Sequence, residues 1–234
     1  MAETLPLILV PGLLCNADLW SHQVAHLGDV AVPMVSMEHT KHETIAAIAA
    51  SILRDAPRRF HLAGLSMGGY VALELMQQAP ERVARLALLD TSARADTAEQ
   101  TAMRREMMAM TDIGQFKGVT PRLLPTLIHP SRIGDRSLVD RILAMAQSIG
   151  KDGYLRQQRA IISRVDRRAD LPRIVCPTLV LCGEQDARAT PEVAREIAAG
   201  ISGAKLVLVP ACGHLSTMER PEAVTAAMHG WLAA

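Results

Sequence analysis

A chain of 234 residues, 49% of them hydrophobic, carries enough apolar mass for one sizeable core, or a core with an insertion, and is not a disordered chain. Its net charge of +1 speaks against a dedicated nucleic-acid binder, and no apolar run approaches the ~20 residues of a membrane helix. The start Met1-Ala2-Glu3-Thr4 lacks the basic stretch of a secretory signal, and Cys15, Cys176, Cys182 and Cys212 form no C-x-x-C pair. Reduced thiols and a cytoplasmic location are therefore expected, and the scattered histidines predict no metal site.

In chain order, short apolar runs at 7–10, 30–35, 60–63, 86–89, 178–182 and 206–209 alternate with helical patterns at 17–27, 43–55, 67–79, 191–199 and 221–232. The runs lack clean alternation, as in strands buried on both faces of a parallel sheet. Pro191 and Pro221 suit first helical positions, with Thr190 as N-cap of the former. Strand alternating with helix predicts an α/β doubly wound sheet. Residues 93–171 break the rhythm. They hold no convincing strand, but show helical patterns at 97–110, 137–148 and 154–162. The expected organisation is a core of residues 1–92 and 172–234, with residues 93–171 as a helical lid over the carboxyl edge of the sheet.

The most informative motif is Gly64-Leu65-Ser66-Met67-Gly68, between the run at 60–63 and the helix at 67–79. A G-x-S-x-G at a strand-to-helix junction is a nucleophile elbow. The serine needs a sharp turn to project its hydroxyl, and glycines two residues before and after avoid the resulting clash. The helix that follows aims its first amides at negative charge forming beside the serine. Downstream, Asp186 follows the run at 178–182 in Gly183-Glu184-Gln185-Asp186, and His214 follows the run at 206–209 in Cys212-Gly213-His214.

These three motifs, in the order serine, acid, histidine, resemble the α/β-hydrolase superfamily nearly end to end. The resemblance implies Ser66 as nucleophile, His214 as general base and acid, and Asp186 as the group that orients the imidazole. It implies an oxyanion hole from the amides of Met67 and of Leu13, in the loop Val10-Pro11-Gly12-Leu13-Leu14. Most members carry His-Gly where this chain has Pro11-Gly12, so the bond by which that histidine holds the loop has no counterpart here. Most also begin with an antiparallel hairpin. Only six residues precede Leu7, so a reduced, all-parallel sheet of six strands is expected. Asp90, ending the run at 86–89, is a rival acid, read in preference as a cap for the turn at Thr91 and Ser92. His61 reads as a core histidine and Cys212 as a small buried filler.

The implied activity is a cofactor-free serine hydrolase acting on a small-molecule carboxylic ester or lactone, as monomer or homodimer, without nucleic-acid or membrane partners. Thioester cleavage, carbon–carbon bond hydrolysis and perhydrolysis use the same triad. A silent fold serving as a ligand receptor is the reading of another class. Residues 93–173 hold 15 Lys/Arg against 9 Asp/Glu. That excess, with Arg156, Arg159, Arg164, Arg167 and Arg168, is either a solvated face or a site for an anionic or carrier-bound substrate. The run Gly153-Tyr154-Leu155-Arg156-Gln157-Gln158-Arg159 resembles the lid helix of the carboxylesterases that demethylate pimeloyl-carrier-protein methyl ester. Met103, Met107 and Met110 share one helical face, read either as packing onto the core or as an apolar wall for an acyl chain. Candidate substrate contacts are Leu14, Met103, Met107, Arg156 and Arg159.

Overall fold

The structure, a computed structural model, describes residues 4–114 and 116–234. The start of the chain read above, Met1 to Glu3, lies outside the described residues. Six strands, β1 (Pro6–Val10), β2 (Val32–Val35), β3 (Phe60–Leu65), β4 (Val83–Leu89), β5 (Thr178–Gly183) and β6 (Lys205–Val209), form one sheet in the order β2-β1-β3-β4-β5-β6. Every pairing is parallel, as expected.

Both faces of the sheet are covered. Leu7, Leu9, Leu65, Leu89 and Leu181 pack on one face with α1 (Ser21–His26) and α7 (Pro221–Ala233). Ile8, Val10, Leu62, Leu88 and Val180 pack on the other with α2 (Ile45–Asp55), α3 (Met67–Gln78) and α6 (Pro191–Gly200). Alternate residues of one strand thus enter different cores, which is why the apolar runs read as continuous.

Helix ends follow local chemistry, with three corrections. Thr44 caps α2 by accepting from the Ala47 amide at 3.1 Å, so the helix starts at Ile45 rather than 43. Thr190 stands at the N-cap of α6, yet its side chain makes no capping bond. The helix expected at 17–27 is a 3-10 turn, Ala17–Trp20, followed by α1.

Between β4 and β5 the described residues hold no strand. Thr97 and Gln100 exchange reciprocal bonds of 3.2 and 2.9 Å that open α4 (Ala98–Ile113). The patterns at 137–148 and 154–162 are the two helical stretches of α5 (Arg136–Ile162), separated by a kink at Gly150, whose φ of 68° and ψ of −179° lie outside the helical region. Leu138, Ile142 and Met145 join the first core, and Ala160 and Ile161 the second. α5 therefore passes from one face of the sheet to the other. Among the described residues, no helix is long and apolar enough to cross a membrane.

Candidate active site

β1 connects outward to β2, and the chain then returns to place β3 on the other side of β1. The carboxyl ends of β1 and β3 flank this switch point, where open α/β sheets bind ligands. Ser66 sits at the end of β3 with φ 55° and ψ −114°, a strained conformation held from several sides. Its amide donates to Leu89 O at 3.0 Å, and its carbonyl accepts from Thr91 Oγ1 at 2.7 Å. The glycines of the elbow answer to close approach: a Cβ on Gly64 would lie 2.2 Å from Gly68 O, and one on Gly68 would lie 2.0 Å from Val10 O.

The sheet edge brings the three proposed catalytic side chains together. His214 Nε2 lies 2.9 Å from Ser66 Oγ, and His214 Nδ1 lies 2.8 Å from Asp186 Oδ2. The other carboxylate oxygen of Asp186 accepts from the amides of Arg188 and Ala189 at 2.7 and 3.0 Å, which fixes its plane. His214 is fixed through its backbone: its amide and that of Leu215 both donate to Leu127 O at 3.0 Å. Buried Glu219 ties the same loop, accepting from the amides of Gly213 at 2.9 Å and His129 at 2.6 Å.

Asp90 holds a different place from the one read in the sequence. It accepts from the Gly183 amide at 2.9 Å and from Ser216 Oγ, rather than capping at Thr91 and Ser92. Burial, then the nearby charge of Asp186, pushes its carboxyl well above the usual range. His214 Nδ1 faces Asp186, not Asp90. One ligand atom each of Asp90, Cys182 and Asp186 fall within 4.8 Å of one another, a spacing that could hold a cation. Each is engaged already, Cys182 Sγ with the carbonyls of Gly183 and Ala189 at 3.3 and 3.1 Å. His61 is buried against the edge of Trp231, and desolvation pushes its pKa down to about 4. Cys212 is fully buried.

Met67 opens α3 directly after Ser66, and a Cβ on Gly12 would lie 3.4 Å from Ser66 Cβ, so the loop carrying Leu13 lies against the serine. Cys15 N donates to Gly12 O at 3.2 Å, closing a turn in which Leu14 adopts φ 59°. Two residues to which the sequence reading gave no role here hold this turn. Gln157 Oε1 accepts from the Leu14 amide at 3.1 Å, and His39 Nε2 lies 3.0 Å from Cys15 O. Both bonds hold the backbone of the loop that follows Pro11-Gly12. The available signal was Gln157, a polar residue on the apolar side of a helical pattern.

The substrate contacts read in the sequence fare differently. Leu14 is buried in the first core. Met103, Met107 and Met110 are 55%, 40% and 70% exposed and do not pack onto the core. Arg156 donates to Thr40 O at 2.8 Å, and Arg159 pairs with Glu43 at 2.6 Å. Arg164 pairs with Asp96 at 2.7 Å, Arg167 with Glu74 and with Asp170 at 3.1 Å, and Arg168 with Asp166 at 2.6 Å. These arginines are thereby engaged inside the protein, two of them with Glu43 and Glu74 from outside residues 93–173. A cavity of about 310 Å³ beside α2 and α3 is lined by Tyr70, Arg94, Arg164 and Arg167, but by none of Ser66, Asp186 and His214.

Comparison with known proteins agrees with this fold. The model of the alpha/beta hydrolase family matches residues 7–227. A thermophilic esterase from Thermogutta terrifontis, solved with malate bound, superposes with a TM-score of 0.88 at 30% identity, over 99% of this chain and 90% of that one. The enol-lactonase from Burkholderia xenovorans LB400 superposes with a TM-score of 0.85 at 26% identity, over 99% and 93%. BpoC of Mycobacterium tuberculosis, whose name points to a non-heme bromoperoxidase, is 31% identical over 194 residues, covering 80% of this chain and 73% of that protein. Pimeloyl-[acyl-carrier protein] methyl ester esterases are among the relatives as well. With its sheet, its elbow and a family match over almost its whole length, this chain belongs to the alpha/beta hydrolase family.

Proposed function

We propose that this protein is a serine hydrolase that cleaves a carboxylic ester or lactone through an acyl-enzyme on Ser66. The observation that carries this reading is the unbroken hydrogen-bond chain from Ser66 Oγ through His214 to Asp186. Asp186 Oδ2 accepts from Nδ1–H, which leaves the Nε2 lone pair facing the serine hydroxyl. As Ser66 Oγ attacks the carbonyl carbon, Nε2 takes its proton. The amides of Leu13 and Met67 receive the charge that develops on the carbonyl oxygen. The tetrahedral intermediate collapses, and Nε2–H protonates the departing alkoxide. Water, activated by the same nitrogen, then attacks the acyl carbon and frees Ser66. Residues 93–171 act as a lid in this reading, because α5 passes between the two faces and places Gln157 on the oxyanion turn. The esterase and enol-lactonase names of the similar structures support the choice of bond.

A fluorophosphonate probe tests this directly. It should label the wild type and fail on Ser66→Ala, and hydrolysis of 4-nitrophenyl esters should vanish with the label. A folded wild type that stays unlabelled overturns the enzyme reading in favour of a receptor. The name of BpoC favours a second reading on the same triad, in which hydrogen peroxide replaces water at the acyl-enzyme and releases a peracid. Peracid formation from acetate and peroxide that outpaces ester hydrolysis would establish it.

A further inference from the structure

The arginines singled out in the sequence are tied to Thr40 and Glu43, but another arginine is not so tied. Arg188 stands two residues beyond Asp186, and its amide is anchored on Asp186 Oδ1 at 2.7 Å. From there its guanidinium reaches Thr126 Oγ1 at 2.9 Å. Thr126 adjoins Leu127, whose carbonyl holds the amides of His214 and Leu215. Arg188 therefore spans from the loop of the acid to the backbone that fixes the histidine. Its side chain is exposed, and among the described residues it meets no carboxylate at ion-pair distance.

Arg188 is open to solvent, and a second guanidinium stands near enough to act on its charge. Desolvation, then the like charge of Arg104, lowers its pKa, although water reaches the side chain. Arg104 comes from α4 and bonds Asp96 Oδ2 at 2.7 Å and Gln158 Oε1 at 2.9 Å. Asp96 also serves Arg164, so one carboxylate answers two guanidiniums. Gln158 in turn donates to the Tyr154 hydroxyl at 2.8 Å. Arg188 has no carboxylate partner among the described residues and Arg104 shares its own with Arg164, so the two cations form a field that favours an anion. The planar fork of an arginine matches a carboxylate in particular.

We propose that Arg188, backed by Arg104, is the subsite for a carboxylate carried by the substrate away from the scissile bond, so that the protein prefers half-esters or lactones of dicarboxylic acids to neutral esters of equal length. The proposal rests on the hydrolase reading of Ser66 for its turnover arm only. Bound at Arg188, the remote carboxylate orients the acyl chain before attack, and its binding energy appears in kcat/KM.

The test pairs mono-4-nitrophenyl adipate with 4-nitrophenyl hexanoate, acyl chains of equal length. The expected wild-type ratio of kcat/KM favours the adipate by at least ~10-fold, and Arg188→Gln lowers that ratio roughly 10–100-fold, the range of a hydrogen bond between charged groups. Arg188→Lys should retain part of the preference, and Arg104→Gln should lose less than Arg188→Gln. Calorimetry of adipate binding to Ser66→Ala needs no turnover. Adipate should bind this variant and lose at least ~10-fold affinity when Arg188→Gln is added. A wild type indifferent to the carboxylate, or a ratio unmoved by Arg188→Gln, overturns the proposal. If neither ester is cleaved, the esterase reading fails, while the calorimetry still decides Arg188.

Discussion

The two ends of the sheet are built on different terms. At the carboxyl end stand Leu14, Ser66, Asp90 and Ala211, with φ of 59°, 55°, 46° and 49°, and among the described residues no other non-glycine residue has a positive φ. The buried polar side chains Asp90, Asp186, His214, Ser216 and Glu219 collect there too. At the amino end polar groups meet ordinary needs. Arg82 donates to the carbonyls of Leu53, Ala56 and Pro57 at 2.9, 2.8 and 2.8 Å, and Trp231 Nε1 to Pro177 O at 3.1 Å. Strain of roughly 1–3 kcal/mol per residue persists only where the surroundings over-determine it. One end thus stores unfavourable conformations in a polar setting, and the other contributes stability. Substitutions should separate activity from stability according to the end they touch.

The largest effect belongs to the carboxyl end. His214→Ala should lower kcat/KM by at least ~10³-fold while circular dichroism still reports a folded protein. Asp186→Ala should fall nearly as far. Asp90→Asn should cost far less, because the asparagine mimics the neutral carboxyl that burial favours at that position. A greater loss at Asp90 would reverse the assignment of the acid. Next comes Gln157→Leu, which leaves the Leu14 amide without its 3.1 Å partner and loosens the oxyanion turn. A drop of roughly 10–100-fold in kcat with KM little changed is expected, the signature of a contact that matters in the transition state. A purely structural role would instead lower the melting temperature and leave kcat in place.

Much of this end was legible in the sequence because its parts are local. The crowding of Gly64 and Gly68 around Ser66 fixes a five-residue pattern, and Asp186 and His214 each follow an apolar run. The inner strands β1, β3, β4 and β5 were legible for a related reason: strands covered on both faces become unbroken apolar runs, whereas β2 and β6, at the sheet edges, are apolar but less buried. What escaped depends on distant pairings. Gln157 meets Leu14 across 143 positions, and Asp90 meets Ser216 across 126, so no local pattern records either bond. The methionine face of α4 left two readings open because helical spacing shows which residues share a side, not whether anything covers it, and its exposure removes only the packing onto the core. The arginines stayed open for a similar reason, since their count does not show that Glu43, Glu74 and Asp96 stand ready to pair with them.

The amino end supplies the contrary case. Arg82→Ala removes the donor to three carbonyls and should destabilise by about 2 kcal/mol, read from urea midpoints, with kcat/KM unchanged. A similar loss should follow from acid, acting through the oxyanion turn. Burial pushes the His39 pKa down to about 4. The unfolded chain binds this proton near 6.5, so as pH falls from 6.5 toward 4 the unfolded state gains a proton that the folded state refuses, and stability drops. From pH 7 to pH 5 this amounts to about 2 kcal/mol, and His61, also pushed down to about 4, adds to the slope. His39→Gln should flatten the dependence, and an unchanged slope would move its cause to other groups.

The smallest effects test the strain itself. Glycine accepts a left-handed φ without penalty but loses more freedom on folding, about 0.5–1 kcal/mol. At Ala211, with φ 49°, relief of roughly 1–2 kcal/mol only modestly exceeds that loss, so Ala211→Gly should stabilise by only about 0.5 kcal/mol. Ser66 combines φ 55° with ψ −114°, outside the left-handed helical well that alanine tolerates best, so Ser66→Gly should stabilise more, by about 1 kcal/mol, while ending turnover. Equal gains at the two sites would mean that the elbow is no more strained than an ordinary left-handed turn. A larger gain at Ser66 would mean that projecting the hydroxyl toward His214 is held against the backbone's own preference, by the bonds to Leu89 and Thr91 that leave it no other place to go.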